Sequence, residues 1–373
     1  MLRVLVVDDS VVYRKLMTEL LSGIAGVVVV GAECNGRTAL TRIEELAPDL
    51  VTLDIEMPGM DGLAVLEELR TRKLEVGVLM VSSHTVRGGE LTIRALELGA
   101  FDFVTKPQHG ALEDNRFSLA VSLQAIVKAF VAGHRIRGML RKVAPRPPRS
   151  PSPPALTASA PALSLPPAAR TPRQSHPPAW KVGLVLIGVS TGGPNALGRV
   201  IPALEAELDA PVVVVQHMPA VFTRSLAARL DAQSALRVKE AEDGEAIEPG
   251  SVYIAPGGRQ LRVAMAAGRR QIRITDDPPE MNCKPSVDYL FRSVSLLPSH
   301  GVLGVIMTGM GSDGMLGCRL LKRAGAQIIA QDEASSVVFG MPRAAIDAGV
   351  VDKVCSLDSI AEEITRAVRG TRG

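Results

Sequence analysis

Aromatic side chains are scarce, at 3% of the 373 residues with a single Trp. A surface that stacks nucleobases on rings is therefore not expected. Cysteines number four (Cys34, Cys283, Cys318 and Cys355), with no CxxC pair and no spacing typical of a metal site. Reduced core thiols are expected rather than a disulfide framework. No apolar run approaches the roughly 20 residues that cross a bilayer, and the opening MLRVLVVDDS turns acidic too early for a secretory signal. The expectation is a cytoplasmic protein with no direct membrane insertion. Acidic residues are also missing between Asp114 and Glu205, where twelve basic residues leave −9 for the rest of a chain whose total is +3. Without interleaved aromatics, that basic stretch reads as a solvated, self-repelling linker rather than a nucleic-acid surface.

What is present is Val, Leu, Ala and Gly in quantity, a mix suited to buried parallel strands covered by helices. Twelve of the 26 prolines fall within residues 145–178, with Ala, Ser and Arg and no hydrophobic period. Such a segment cannot bury enough apolar surface to offset its ordering entropy and reads as a polyproline-leaning linker. It separates a first domain over 1–120 from a second over 181–370, with 121–180 holding a helix end and the linker. Both halves alternate strand and helix, predicting two doubly wound, mostly parallel-sheet α/β domains. In the second, QLRVAMAAGRRQIRIT reads as an antiparallel hairpin turning at Ala-Gly.

In open α/β sheets, sites lie beyond the carboxyl ends of the strands. In the first half, Asp8 and Asp9 follow the first strand, Asp54 the third, Ser82 or Ser83 the fourth, and Lys106 the fifth. Three converging carboxylates repel unless a cation joins them, and oxygen ligands suit Mg²⁺. One carboxylate can then attack a phosphoryl group while Lys106 and a hydroxyl hold the transferred oxygens. Taken singly, Asp9 or Ser10 reads equally well as a helix N-cap. Together, VVDDS, LDIEMPGMDG, LMVSS and FDFVTKP resemble the receiver domain of two-component response regulators. The resemblance implies a flavodoxin-like fold, Asp54 as phosphoacceptor, Asp8 and Asp9 as metal ligands, and the Glu56 carbonyl as a further ligand. It also implies Lys106 at the phosphoryl group, Ser82 as switch hydroxyl and Phe103 as switch aromatic.

In the second half, Gly188-Val189-Ser190-Thr191-Gly192 follows a strand and precedes a helix. G-x-S-x-G at such a turn lifts the Ser Oγ above the sheet, although a Gly-rich phosphate loop is an alternative reading. His217 ends the next strong strand, where a general base would stand. Asp313 lies in another Gly-rich loop at the same sheet edge and could orient the imidazole; alternatively it is a turn residue. The chain order Ser190, His217, Asp313 matches none of the three orders of common serine hydrolases. The segments IGVSTGGPNAL, QHMPAVFTRSLAARL, VYIAPGG, KPSVDYLFRSV, VIMTGMGSDGMLG and QDEASSVVFGMPRAA resemble the catalytic domain of chemotaxis protein-glutamate methylesterases. That resemblance implies a Rossmann-like domain with Ser190 as nucleophile, His217 as base and Asp313 as orienting acid. Thr191 and the Met310 amide are then candidates near the oxyanion hole. It further implies methylated chemoreceptors as substrate, with glutamine deamidation as a variant, a chemotaxis histidine kinase as phosphodonor, and no cofactor for ester hydrolysis. Two rivals stay open on the residues alone: a second half that only binds a partner, and a DNA-binding regulator using the basic linker.

Overall fold

The computed structural model describes residues 1–83, 85–106, 116–117, 119–131, 181–297 and 301–370. The proline-rich segment 145–178 lies outside the described residues. In the first half, strands β1 (Leu2–Val7), β2 (Val27–Glu33), β3 (Leu50–Asp54), β4 (Gly77–Ser83) and β5 (Asp102–Lys106) form one parallel sheet in the order β2-β1-β3-β4-β5. The run LVTLD of β3 is buried on both faces, because helices cover both sides of a parallel sheet. Those helices are α1 (Val11–Ser22), α2 (Gly36–Leu46), α3 (Gly62–Thr71), α4 (Val86–Glu97) and α5, over residues 119–131. Leu119, Leu123, Val127 and Phe130 repeat at helical spacing on α5 and are buried in the first-half core. Phe130 also meets Phe101 edge to face at 5.1 Å. The helical stretch assigned with the linker beyond residue 120 thus packs with the first sheet as far as residue 131.

The second half has seven parallel strands in the order β14-β13-β12-β6-β7-β9-β8. They are β6 (Leu184–Val189), β7 (Val212–Gln216), β8 (Arg237–Glu240), β9 (Ser251–Ile254), β12 (Val302–Ile306), β13 (Gln327–Gln331) and β14 (Lys353–Cys355). The hairpin β10 (Gln260–Ala266) and β11 (Arg269–Thr275) is a separate antiparallel pair. Its turn residues Ala267 and Gly268 both have positive φ, +49° and +75°, as a tight hairpin with the right-handed twist requires. The covering helices are α6 (Gly193–Val200), α7 (Ala220–Gln233), α8 (Val287–Ser295), α9 (Met315–Arg323), α10 (Met341–Asp347) and α11 (Leu357–Arg369).

The two halves pack against each other through α4 and α7. The approach is close because α4 presents Gly89: a Cβ there would lie 3.0 Å from Ser225 Oγ and 3.2 Å from Val221. Glu97 accepts hydrogen bonds from Arg229 and from Gln233, and Asn195 Nδ2 donates to the Ala100 carbonyl at 3.3 Å. Phe103 of β5 stacks on Phe222 of α7, with ring centroids 4.6 Å apart.

Candidate functional sites

At the crevice where strand order reverses around β1 and β3, Lys106 Nζ lies 2.7 Å from Asp54 Oδ2 and 2.9 Å from Asp8 Oδ2. Ser10, rather than Asp9, caps α1, accepting from the Tyr13 amide, which leaves the exposed Asp9 side chain free of that duty. Asp8, Asp9 and Asp54 bring carboxylate oxygens within 4.8 Å of one another. Asp8 Oδ2 is buried and, despite its ion pair, accepts no hydrogen bond of good geometry. Burial pushes the Asp54 carboxyl up to about 6 against the opposing pull of Lys106. A buried acceptor without a donor beside a desolvated carboxylate is the environment a hard divalent cation relieves, so the residues present fit Mg²⁺.

The flanking residues divide. The Glu56 amide donates to Asp54 Oδ1 at 3.4 Å, and its carboxylate accepts from Ser83 Oγ at 2.8 Å. The buried Ser82 hydroxyl turns to α4, within 2.7 Å of Thr92 Oγ1 and 3.3 Å of the Gly88 carbonyl. Its partners are therefore neither Asp54 nor Lys106. Phe103 belongs to the interface between the halves rather than to the crevice.

In the second half, strand order reverses between β6 and β12, and the loops after β6, β7 and β12 carry Ser190, His217 and Asp313. The Ser190 turn is held by its own backbone: its amide donates to Thr308 O at 3.0 Å, and its carbonyl accepts from Gly193 N at 2.7 Å. Gln216 Nε2 adds a hydrogen bond to that carbonyl at 3.0 Å and one to His217 O at 3.1 Å. Gly192 must be glycine, since its φ is +76° and a Cβ would sit 2.5 Å from Val337 Cβ.

His217 Nε2 lies 2.8 Å from Asp313 Oδ2, which leaves Nδ1 as the nitrogen available for proton transfer. Asp313 is 3% exposed yet fully provided for at the N-terminus of α8. Ser286 Oγ and the Asp288 amide each donate to Oδ1 at 2.9 Å, and the Val287 amide donates to Oδ2 at 2.7 Å. Burial alone would raise the Asp313 pKa; His217 and these amides lower it below the ordinary carboxylate range. For His217, burial lowers the pKa, but hydrogen bonds to Asp313 and Cys283 outweigh it and hold it up at about 9. At about 9 the resting ring carries its extra proton at neutral pH, so His217 acts as base from its deprotonated form, and the ionised Asp313 stabilises the imidazolium that forms when it takes a proton.

Ser190, Thr191, Gln216 and His217 line a cavity of about 270 Å³ whose other wall is Asp102, Phe103 and neighbours from the first half. Among the described residues Ser190 Oγ makes no hydrogen bond to His217; such contacts often tighten only when substrate binds. The amides of Thr191 and Met310 likewise have no acceptor among the described residues. Gly309, which precedes Met310, lies against the nucleophile turn: a Cβ on Gly309 would come within 2.8 Å of Ser190 Cβ.

Sequence reasoning did not single out Ser286, Gln216, Asp102 or Cys283. Ser286 stands three residues into KPSVDYLF and shows the Ser-cap pattern, a usable signal for α8 but not for its carboxylate cargo. The expectation of core thiols holds for the buried Cys318 only; Cys34 is exposed, and Cys283 and Cys355 are half-buried. Among the described residues no helix is long and apolar enough to cross a membrane.

The CheB methylesterase family matches residues 185–364, and the response regulator receiver domain family matches residues 4–114. A protein-glutamate methylesterase/protein-glutamine glutaminase of Desulfotalea psychrophila is 46% identical over 377 residues, covering 99% of each chain. Its Bacillus subtilis counterpart is 44% identical over 375 residues, covering 100% of each chain. The solved catalytic domain of the Thermotoga maritima CheB methylesterase is 43% identical, covering 50% of this chain and 98% of that one, with a TM-score of 0.48.

Proposed function

The chain belongs to the family of receiver-linked protein-glutamate methylesterases/protein-glutamine glutaminases, and we propose that it hydrolyses glutamate γ-methyl esters of chemoreceptors under phosphorylation control. The observation that carries the reading is the His217–Asp313 pair, anchored by the start of α8, with His217 lining one cavity with Ser190. His217 Nδ1 takes the Ser190 proton as Oγ attacks the ester carbonyl. The Thr191 and Met310 amides receive the oxyanion; one such donor is worth about 10²–10³ in rate. The imidazolium returns its proton to the leaving methoxide, methanol departs, and water activated by His217 frees the glutamate carboxylate. With a glutaminyl side chain the same steps release ammonia.

In the receiver, Asp8, Asp9 and Asp54 would hold Mg²⁺, with the Glu56 carbonyl as a further ligand. The bound ion would neutralise charge on the phosphoryl group as Asp54 accepts it from a histidine kinase. Lys106 is poised to pair with the phosphoryl oxygens. Methylated chemoreceptor membranes should release methanol with the full chain, and more of it once a small-molecule phosphodonor is added. No release from folded, phosphorylated protein would sink the esterase reading.

Control follows from the wall the receiver contributes to the Ser190 cavity. The receiver side of this cavity covers the nucleophile turn while the halves are packed, and separating the halves would open the Ser190 face to a receptor helix. Asp102, at the start of β5, faces that cavity across from Thr191 beside the nucleophile. Desolvation pushes its carboxyl up to about 7, against the hydrogen bond from the Phe103 amide and the opposing pull of the nearby Thr191 hydroxyl. A carboxyl whose pKa is raised in the packed form, from 3.8 when exposed, makes packing bind protons. Packing is therefore tightest at low pH and loosens as pH rises from about 4 to about 7. Asp102→Asn, neutral throughout, should lower unphosphorylated methanol release relative to wild type at about pH 8, with the gap narrowing by about pH 6. An equal gap at both pH values would argue against the carboxyl's ionisation as the cause.

A further inference from the structure

Cys283 belongs to the loop between β11 and α8, and its backbone is pinned by reciprocal hydrogen bonds with Glu280, at 2.7 and 3.1 Å. Met281 and Asn282 between them both have positive φ, so the loop doubles back tightly and presents the thiol inward. Sγ comes within 3.8 Å of His217 Nδ1, and its other neighbour is the Met281 carbonyl at 3.6 Å. Cys283, His217 and Asp313 together bring one ligand atom each within 4.8 Å of one another.

We infer that Cys283 and His217 form an inhibitory Zn²⁺ site. Bond lengths of about 2.3 Å to sulfur and 2.05 Å to nitrogen give a tetrahedral edge of about 3.5 Å, close to the spacing observed. Thiolate and imidazole are the donors Zn²⁺ favours over hard cations. The far side of the ring is already set for the metal: Asp313 on Nε2 fixes tautomer and ring orientation, as a carboxylate does behind many zinc-bound histidines. Half-exposure of Cys283 gives the ion a path, and water completes the coordination. On binding, the Cys283 thiol and the His217 Nδ1–H each release a proton to solvent as the Zn–S and Zn–N bonds form, with no change of oxidation state. The metal takes the Nδ1 lone pair that must accept the Ser190 proton, so binding and hydrolysis exclude each other. Metal binding rests on the geometry alone; only the inhibition rests on His217 as base.

Cobalt titration of the full chain reports the site without reference to activity. Wild type and Cys34→Ala should each develop a thiolate-to-cobalt charge-transfer absorption that Zn²⁺ bleaches, and Cys283→Ala should not. In methanol release, Zn²⁺ should inhibit wild type reversibly, with activity restored by a chelator. Cys283→Ala, referred to its own metal-free rate, should need at least about tenfold more Zn²⁺. A wild-type titration without the band, a band that survives in Cys283→Ala, or equal zinc sensitivity in the two proteins would overturn the site. Should wild type release no methanol at all, the esterase reading fails while the cobalt band still decides the metal site.

Discussion

Ser190→Ala should lower methanol release by about 10⁵–10⁶-fold while leaving the fold and its melting temperature nearly unchanged. The size follows from losing the covalent route: with no Oγ there is no acyl-enzyme, and His217 has no oxygen to deprotonate. What survives is the contribution of the oxyanion amides and of substrate positioning, about 10³–10⁴ over water in comparable hydrolases. The stability expectation comes from the turn itself. Its hydrogen bonds are made by the Ser190 amide and carbonyl with Thr308, Gly193 and Gln216, and Ala keeps all of them. Purified variants compared by methanol release and thermal melting would test both parts. Because Cys283 also stands beside His217, the result carries a second meaning. Activity that survives Ser190→Ala but disappears in Cys283→Ala would move the nucleophile to the thiol.

Freeing the second half from the receiver should raise unphosphorylated activity by about 5- to 150-fold, the range that a coupling of 1–3 kcal/mol spans. In the packed form the Ser190 cavity is walled by β5 and α5; on the occlusion reading, basal turnover comes from the minor, separated population. Two interventions should act in the same direction. Deleting residues 1–131 removes the wall outright. Phe103→Ala in the full chain removes one ring of the Phe103–Phe222 stack and should give a smaller rise, since the α4–α7 contacts through Gly89 and Glu97 remain. Phosphodonor should stimulate wild type, fail with Asp54→Ala, and add little to the deletion. A deletion variant that is folded yet no faster than the unphosphorylated full chain would count against occlusion. Activation would then have to act on the catalytic groups themselves.

The sequence by itself determined the two parallel α/β sheets and the strand ends that carry the chemistry. Runs such as LVTLD and VVVVQ can only be strands buried on both faces, and loops at their carboxyl ends gather on one edge whatever the intervening helices do. That is why Asp8, Asp54 and Lys106, and separately His217 and Asp313, could be placed together across separations of 52 and 96 residues. Edge strands β8 and β14 escaped because RVKE and KVC are short, charged and half-exposed, as edges tend to be, and so lack a hydrophobic period.

Only the tertiary structure decided which groups tune the catalytic ones. Nothing in the local pattern of KPSVDYLF says that three donors at the start of α8 will close on a carboxylate 25 to 27 residues further on. The same holds for Cys283 reaching His217 across 66 residues, and for Asp102 of the receiver meeting Thr191 of the other half. Ser82 reads in sequence as a strand-end hydroxyl facing the phosphoacceptor, yet its hydrogen bonds run to α4. Periodicity encodes which face of an element is buried. What a buried polar group meets there depends on how separate elements dock, and that is settled by shape and packing over the whole molecule.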